Sequence, residues 1–356
     1  MNLEELLLSD FPRVSDEKWK DVVIKDLRGK DFEETLVWKD ENGIDHHPYY
    51  RKSDTFDSSL IVAIQNAQRT DNDWIILEHK PKMNDEITQF VNQNKVEKIN
   101  NLDGNIKLDL SIYKSKGANT VHELALALHH VLEYMDVLTK NGYSAAKASQ
   151  KLVYVLAFGN SYFTEIAKGR AFRYLLSQLF LAYDIQPELK IIGLGSDYYL
   201  AHQDAHTNLL RTTTQAMSAV LAGCDEIYIP AFDENANTSE LGKRMARNIQ
   251  LILKEESHFG KITDAASGSY YIESLTKTLS EKAWDLFLEI ESKGGLFQLI
   301  ANGELKEMLH KDKTERIAKY KSGERLILGV NRYKNPEGLD LELKEGIEML
   351  AKEVEK

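Results

Sequence analysis

Short apolar runs alternate with longer amphipathic stretches along most of this chain. The clearest unit covers 189–234. Residues 189–194 read as a strand that ends in Gly195-Ser196-Asp197, and a helix is predicted from about 203 to 222. A second strand, 226–229, ends in Pro230-Ala231-Phe232-Asp233-Glu234. In a parallel α/β protein such loops lie at the carboxyl ends of the strands, where ligands bind. The rhythm recurs on both sides. Residues 74–77, 106–112 and 152–158 read as strands, 96–99 as a weak one, and 60–67 as strand or helix. Helices are predicted over 84–94, with Ile87, Phe90 and Val91 on one face, and over 162–183, 239–256, 273–293 and 303–321. Thr120-Val121-His122-Glu123 reads as a capping box opening a helix to about Lys140. Residues 326–330 read as a late strand and 342–354 as a terminal helix.

Strands separated by helices of ten or more residues mean parallel βαβ units. Their number between residues 60 and 330 suits a (β/α)8 TIM barrel, irregular or shortened in its early strands. An open doubly wound sheet is the alternative. Residues 1–56 form a separate part. Ser15-Asp16-Glu17 can cap a helix whose Trp19, Val22, Val23 and Leu27 make an apolar stripe. That stripe packs either on its own domain or on another subunit. Asn42-Gly43 between 34–39 and 44–51 signals a hairpin. The expected division is therefore 1–56 for arm and hairpin, 57–333 for the barrel and 334–356 for the C-terminal helix.

Composition narrows the function. A formal net charge of -11 opposes nucleic-acid or anionic-membrane binding. The single cysteine, Cys224, permits no intrachain disulfide, and its place after an apolar helix reads as core. No apolar run approaches the roughly 20 residues that span a bilayer. The acidic start, residues 1–5, lacks a signal peptide's basic region. The expectation is a cytoplasmic protein.

Candidate chemistry is sparse. His202 and His206 stand at i and i+4, a spacing that can bind zinc, but no third ligand is evident, although His129 and His130 lie on another helix. Gly193-Leu194-Gly195-Ser196 lacks the third glycine of a dinucleotide fingerprint. His46 and His47, neighbours in a strand, point to opposite faces and cannot chelate together. Gln203, Asp204, Asn208 and Arg211-Thr212-Thr213 gather near a helix N-terminus, where an anion or amide ligand can bind, or where they cap and pair internally. Phe232-Asp233-Glu234 and Glu255-Glu256-Ser257 add carboxylates on neighbouring loops.

Together these stretches resemble the methylmalonyl-CoA mutase family. The matching blocks include Gln203-Asp204, Asn208, Arg211-Thr212-Thr213, Phe232-Asp233-Glu234, Arg244 to Asn248, Gln250, Glu255-Glu256-Ser257, Gly268-Ser269-Tyr270-Tyr271 and Gly329-Val330-Asn331. Upstream, Gly117-Ala118-Asn119-Thr120-Val121, Glu165-Ile166-Ala167-Lys168 and Pro48-Tyr49-Tyr50-Arg51 also match. The resemblance covers about residues 10–333. It implies a TIM barrel binding an acyl-CoA along its axis, and a flavodoxin-like domain holding adenosylcobalamin for a radical interconversion of methylmalonyl-CoA and succinyl-CoA.

The chain departs from that pattern where the chemistry sits. The position of the family's substrate-bonding histidine is Ile192, which has no donor. An arginine expected to grip the substrate carboxylate corresponds to Lys151, which keeps the charge and loses the fork. The tyrosine- and arginine-bearing segment after Tyr50-Arg51 is replaced by Lys52-Ser53-Asp54. No Asp-x-His-x-x-Gly cobalamin motif occurs. The resemblance thus implies a non-catalytic small subunit of a heterodimeric mutase. It would bind no cofactor alone, stabilise a large catalytic subunit and leave adenosylcobalamin to that partner. Lys151, Gln203, Asp204, Asn208, Arg211, Phe232 and Glu256 remain as a candidate pocket. The alternative is a substrate-binding barrel of a split mutase, with the cobalamin domain on another chain.

Overall fold

A computed structural model describes residues 14–51, 58–69 and 73–355. The chain start at 1–5 and the Lys52-Ser53-Asp54 segment lie outside the described residues. Two compact units fall within Met1–Tyr50 and Arg51–Lys356. In the first, Ser15 caps α1 (Asp16–Asp26), its hydroxyl accepting from Lys18 N at 3.3 Å. Trp19, Val23 and Leu27 are half-buried, whereas Val22 stays exposed, so the stripe is only partly covered. The first half of the strand expected over 34–39 belongs instead to a helix, α2 (Phe32–Leu36). Asp31 at its N-cap accepts from Glu34 N at 2.9 Å, and this local bond outweighs the alternating pattern. The hairpin forms as β1 (Trp38–Lys39) and β2 (Asp45–His46), antiparallel, with His46 buried and His47 exposed.

The second unit is built on five parallel strands: β3 (Ile75–Ile76), β4 (Ile106–Asp109), β5 (Leu152–Phe158), β6 (Ile191–Gly195) and β7 (Glu226–Tyr228). Their order is β3-β7-β6-β5-β4, with no closed sheet among the described residues. The expected eight-stranded barrel is therefore not what these residues form. The fold is α/β around an open sheet. Residues 96–99 form no strand, and 326–330 yield only an isolated bridge, Leu328 to Arg332. The order is nonetheless cyclic: β4 to β7 are successive neighbours, and the first strand, β3, pairs with the last.

One face of the sheet is covered by helices. The helices of this unit include α3 (Ser58–Asn66), α4 (Ile87–Gln93), α5 (Ser111–Ser115), α6 (Thr120–Lys140), α7 (Ala145–Gln150), α8 (Tyr162–Leu181), α9 (Asn208–Leu221), α10 (Glu240–Leu251), α11 (Tyr270–Ser292), α12 (Gly295–Ala301), α13 (Glu304–Lys321) and α14 (Leu350–Glu355), of which α8 and α9 pack on that face. Tyr154 of β5 meets Phe172 of α8 edge-on at 5.8 Å. Gly193 of β6 faces the α9 end, where any Cβ would sit 2.9 Å from Cys224 Sγ. The opposite face carries Val153, Val155, Ile192 and Leu194, all buried, with Leu77, Met83 and Tyr228 packed on them. Leu77 and Met83 belong to the chain leaving β3, which crosses this face to the far edge. There Asn84 Oδ1 accepts from Lys107 N and Asp85 Oδ2 from Asp109 N, both at 2.7 Å. Side chains thus occupy the donors of edge strand β4 that a further strand would have taken.

The terminal helix predicted over 342–354 forms only over Leu350–Glu355. Before it, 334–349 run without regular structure across the carboxyl-end loops. No helix among the described residues is long and apolar enough to cross a membrane.

Candidate functional site

Asn208, wholly buried at the start of α9, ties the carboxyl-end loops together. Its amide nitrogen donates to Ala201 O at 2.7 Å and Phe232 O at 2.9 Å. Its Oδ1 accepts from Ala201 N at 2.9 Å and Arg211 Nη1 at 2.7 Å. Arg211 also donates to Leu328 O at 2.7 Å, and burial lowers its guanidinium's pKa. Thr212 and Thr213 donate to carbonyls one turn back in the helix. The polar block that reads as a ligand site therefore spends most of its hydrogen bonds on its own backbone.

The helix begins at Asn208, not near 203, because Asp204 adopts a left-handed φ of 46° and Ala205–Thr207 is a 3-10 turn. His202 and His206 consequently do not share an α-helical face. His202 Nε2 lies 3.3 Å from Glu355, and exposed His206 stands 5.2 Å from the Phe232 ring. Among the described residues no group of three or more His, Cys, Asp or Glu side chains is placed to hold a metal ion.

The C-terminal segment lies over these loops. Ala205 N donates to Leu339 O and Leu341 N to His202 O, both at 2.8 Å. Lys344 N donates to Asn235 O at 3.0 Å and its ammonium to Glu234 O at 2.8 Å. Leu350 and Ala351 pack with Tyr198, Tyr199, Ala201, Ile327 and Val330, and Tyr198 Oη donates to Glu353 at 2.8 Å.

Gln203, Asp204, Asn208, Arg211 and Phe232 thus meet at the carboxyl end. Lys151 and Glu256 do not join them, which corrects the expectation of one pocket. Lys151 precedes β5, so it stands at the amino end of the sheet, donating to Leu102 O and Gly104 O at 3.1 Å. Glu256 is exposed in the π turn Ile252–Glu256 that follows α10, and Lys254 of that turn reaches Trp74 O, beside the amino end of β3. Ile192 is wholly buried on the inner face.

Sequence reasoning missed a buried group of four charges. Lys114 lies 2.7 Å from Glu165 and 3.5 Å from Glu123; Lys168 lies 2.7 Å from Glu165 and 2.8 Å from Glu123. Lys168 also donates to Ala157 O, which places the cluster at the carboxyl end of β5. Burial pushes the Glu165 carboxyl up, but Lys114 and Lys168 outweigh it and hold the group below the usual range. Glu123 is not the capping-box acceptor that its spacing suggests. Asn119 caps α6, accepting from His122 N at 3.0 Å, and frees Glu123 for the cluster. The i, i+3 pair Glu165 and Lys168 was the available signal.

The chain matches the family model for methylmalonyl-CoA mutase over residues 71–355. It belongs to the methylmalonyl-CoA mutase family. It is similar to the methylmalonyl-CoA mutase small subunit of Porphyromonas gingivalis, at 27% identity over 93% of this chain and 72% of that protein. It is 36% identical to the methylmalonyl-CoA mutase of Rhizobium meliloti, over 63% of this chain and 33% of that one. Against the human mitochondrial methylmalonyl-CoA mutase the identity is 33%, over 66% of this chain and 31% of the relative. The chain thus spans about a third of the length of these last two mutase relatives and more of the small subunit.

Proposed function

We propose that this chain is the non-catalytic small subunit of a heterodimeric methylmalonyl-CoA mutase, stabilising a larger catalytic subunit. What carries the reading is the inner face of the sheet. There Leu77 and Met83 pack on the patch containing Ile192, and on this reading they take up the room of an acyl chain. The carboxyl-end loops support it too, since residues 339–344 already bond to them. On this reading adenosylcobalamin belongs to the partner, and no reaction step is assigned to this chain. The sheet is then an opened, shortened form of a (β/α)8 barrel that keeps its cyclic strand order. The purified chain, given adenosylcobalamin and methylmalonyl-CoA, is expected to show no turnover, and to co-purify with a large mutase subunit when the two are co-expressed. Turnover by the chain alone overturns the proposal.

A second reading rests on Gln203, whose buried Oε1 has no hydrogen-bond partner. It makes the chain a substrate-binding subunit of a split mutase. Calorimetric titration with a short acyl-CoA separates the two: saturable micromolar binding favours the second, silence the first.

A further inference from the structure

At the amino end of the sheet, opposite the carboxyl-end loops, the helical layer leaves a gap. α3 and α8 face it with small side chains. Ala63 and Ala67 stand one turn apart, Ala67 N donating to Ala63 O at 3.1 Å, and Ser177 lies on α8. Between them and the chain entering β3, β6 and β7 is a cavity of about 750 Å³. Packed interiors hold few voids larger than a water molecule, and this volume is that of a small-molecule site. Much of its wall is hydrocarbon. Phe180 and Trp74 are buried, whereas Ile75 and Leu181 are 58% and 49% exposed. Two large apolar side chains therefore border the cavity with water against them.

Two buried residues of the wall each keep an N–H without an acceptor among the described residues: Trp74 at Nε1 and Arg173 at Nε. Asp225, just before β7, draws them to one place. Its carbonyl accepts from Ile75 N at 3.0 Å, and its Oδ2 from Arg173 Nη2 at 2.8 Å. The other donors of Arg173 are in use, on Gly223 O at 2.5 Å and Leu189 O at 3.3 Å. Buried donors almost always find an acceptor, so two orphans in one wall point to an acceptor that a ligand brings. The charges of the wall offset each other. Asp225 holds Arg173 and lies 3.7 Å from Arg69, and Asp73 lies 2.5 Å from Lys254. The remaining carboxylate, Glu188, is exposed. A charged ligand would enter without a counterion, a cost that an uncharged acceptor avoids.

We propose that this cavity binds an uncharged, mainly hydrocarbon molecule with a carbonyl acceptor, of the class of medium-chain ketones. Its chain covers Ile75 and Leu181, and its oxygen accepts from the unused N–H groups of the wall. The site lies at the other end of the sheet from the mutase-like loops, so it stands or falls independently of the small-subunit reading.

Titration of the full chain with methyl heptyl ketone tests this, followed through the indole N–H resonance of Trp74, which Trp74→Phe identifies. A saturable shift is expected, half complete below about 1 mM, while the exposed indole of Trp38 stays unmoved. Nonanoate, of the same chain length with a charged head, should bind at least about tenfold more weakly. Ser177→Phe fills the cavity and should weaken ketone binding at least about tenfold. Should that variant not fold, Ala67→Leu fills it from the opposite wall with the same expectation. Four results overturn the proposal: no shift at Trp74, an unsaturable drift of both indoles, nonanoate bound as tightly as the ketone, or a folded, filled variant that binds in full.

Discussion

A histidine at position 192 would face Val153, Val155 and Leu194 beneath Leu77 and Met83. Neither ring nitrogen would have a partner there, and an unsatisfied buried polar group costs about 1–3 kcal/mol. Ile192→His is therefore expected to lower urea-unfolding stability by about 2 kcal/mol and to confer no turnover. An unchanged midpoint would mean that water reaches this face. The four-charge cluster behaves oppositely, because there the polar groups satisfy each other. Lys168→Met leaves Glu123 and Glu165 facing one ammonium instead of two, and breaking a buried ion pair costs about 3–5 kcal/mol. Glu165 is held below its ordinary value, so its contribution is present at neutral pH and lost in acid as the carboxyl protonates. In Lys168→Met that acid loss should begin at higher pH, readable from denaturation midpoints between about pH 5 and about pH 3. Ile192 stood out in the sequence because it replaced an expected donor. The cluster did not, because Glu123 sat at a spacing that suggested a cap.

Elements with strong local chemistry were legible. β5 runs over the predicted residues, α6 ends where expected, and α8 and α11 deviate by a few residues at their ends. What was not legible is how strands pair. Closure of a sheet depends on distant partners, and β3, two residues long, carries no message about its neighbours. The segment after β3 did the unexpected work: it crosses the inner face and presents Asp85 to the edge of β4. That carboxylate accepts from Asp109 N at 2.7 Å and from Thr88 N and Oγ1 at 2.9 Å, and lies 3.1 Å from His130 Nε2. Burial pushes Asp85 up, but His130 and the N–H donors outweigh it and bring it down to about 2. Asp85→Ala strands several buried donors at once and should cost upwards of about 3 kcal/mol. In the unsubstituted chain the contribution of Asp85 is lost as pH falls from its ordinary 3.8 towards about 2. Acid unfolding of Asp85→Ala should be correspondingly less steep in that interval.

At the scale of the molecule, the C-terminal segment decides whether the mutase-like loops are open. Its sequence carried the information, since Leu339, Leu341 and Leu343 alternate with Asp340, Glu342 and Lys344. That period of two means extended chain, and reading the stretch as helix followed its charges instead. The segment is held at its end by α14, where Leu350 and Ala351 are buried and Glu353 takes bonds from Tyr198 and Lys313. A carboxylate at position 350 would sit in the apolar cluster with Tyr198, Ile327 and Val330 and without a donor. Leu350→Asp should therefore release α14 and, with it, the two bonds between 202–205 and 339–341. Hydrogen exchange at the Ala205 and Leu341 amides should accelerate at least about tenfold, while amides of β5 and β6 keep their protection. Uniform acceleration would indicate global unfolding, and no change would mean that the loops hold the segment without α14. Should neither the unsubstituted nor the released chain bind a short acyl-CoA, the C-terminal segment is not what excludes it. The exclusion would then be assigned to the inner face, where Leu77 and Met83 pack.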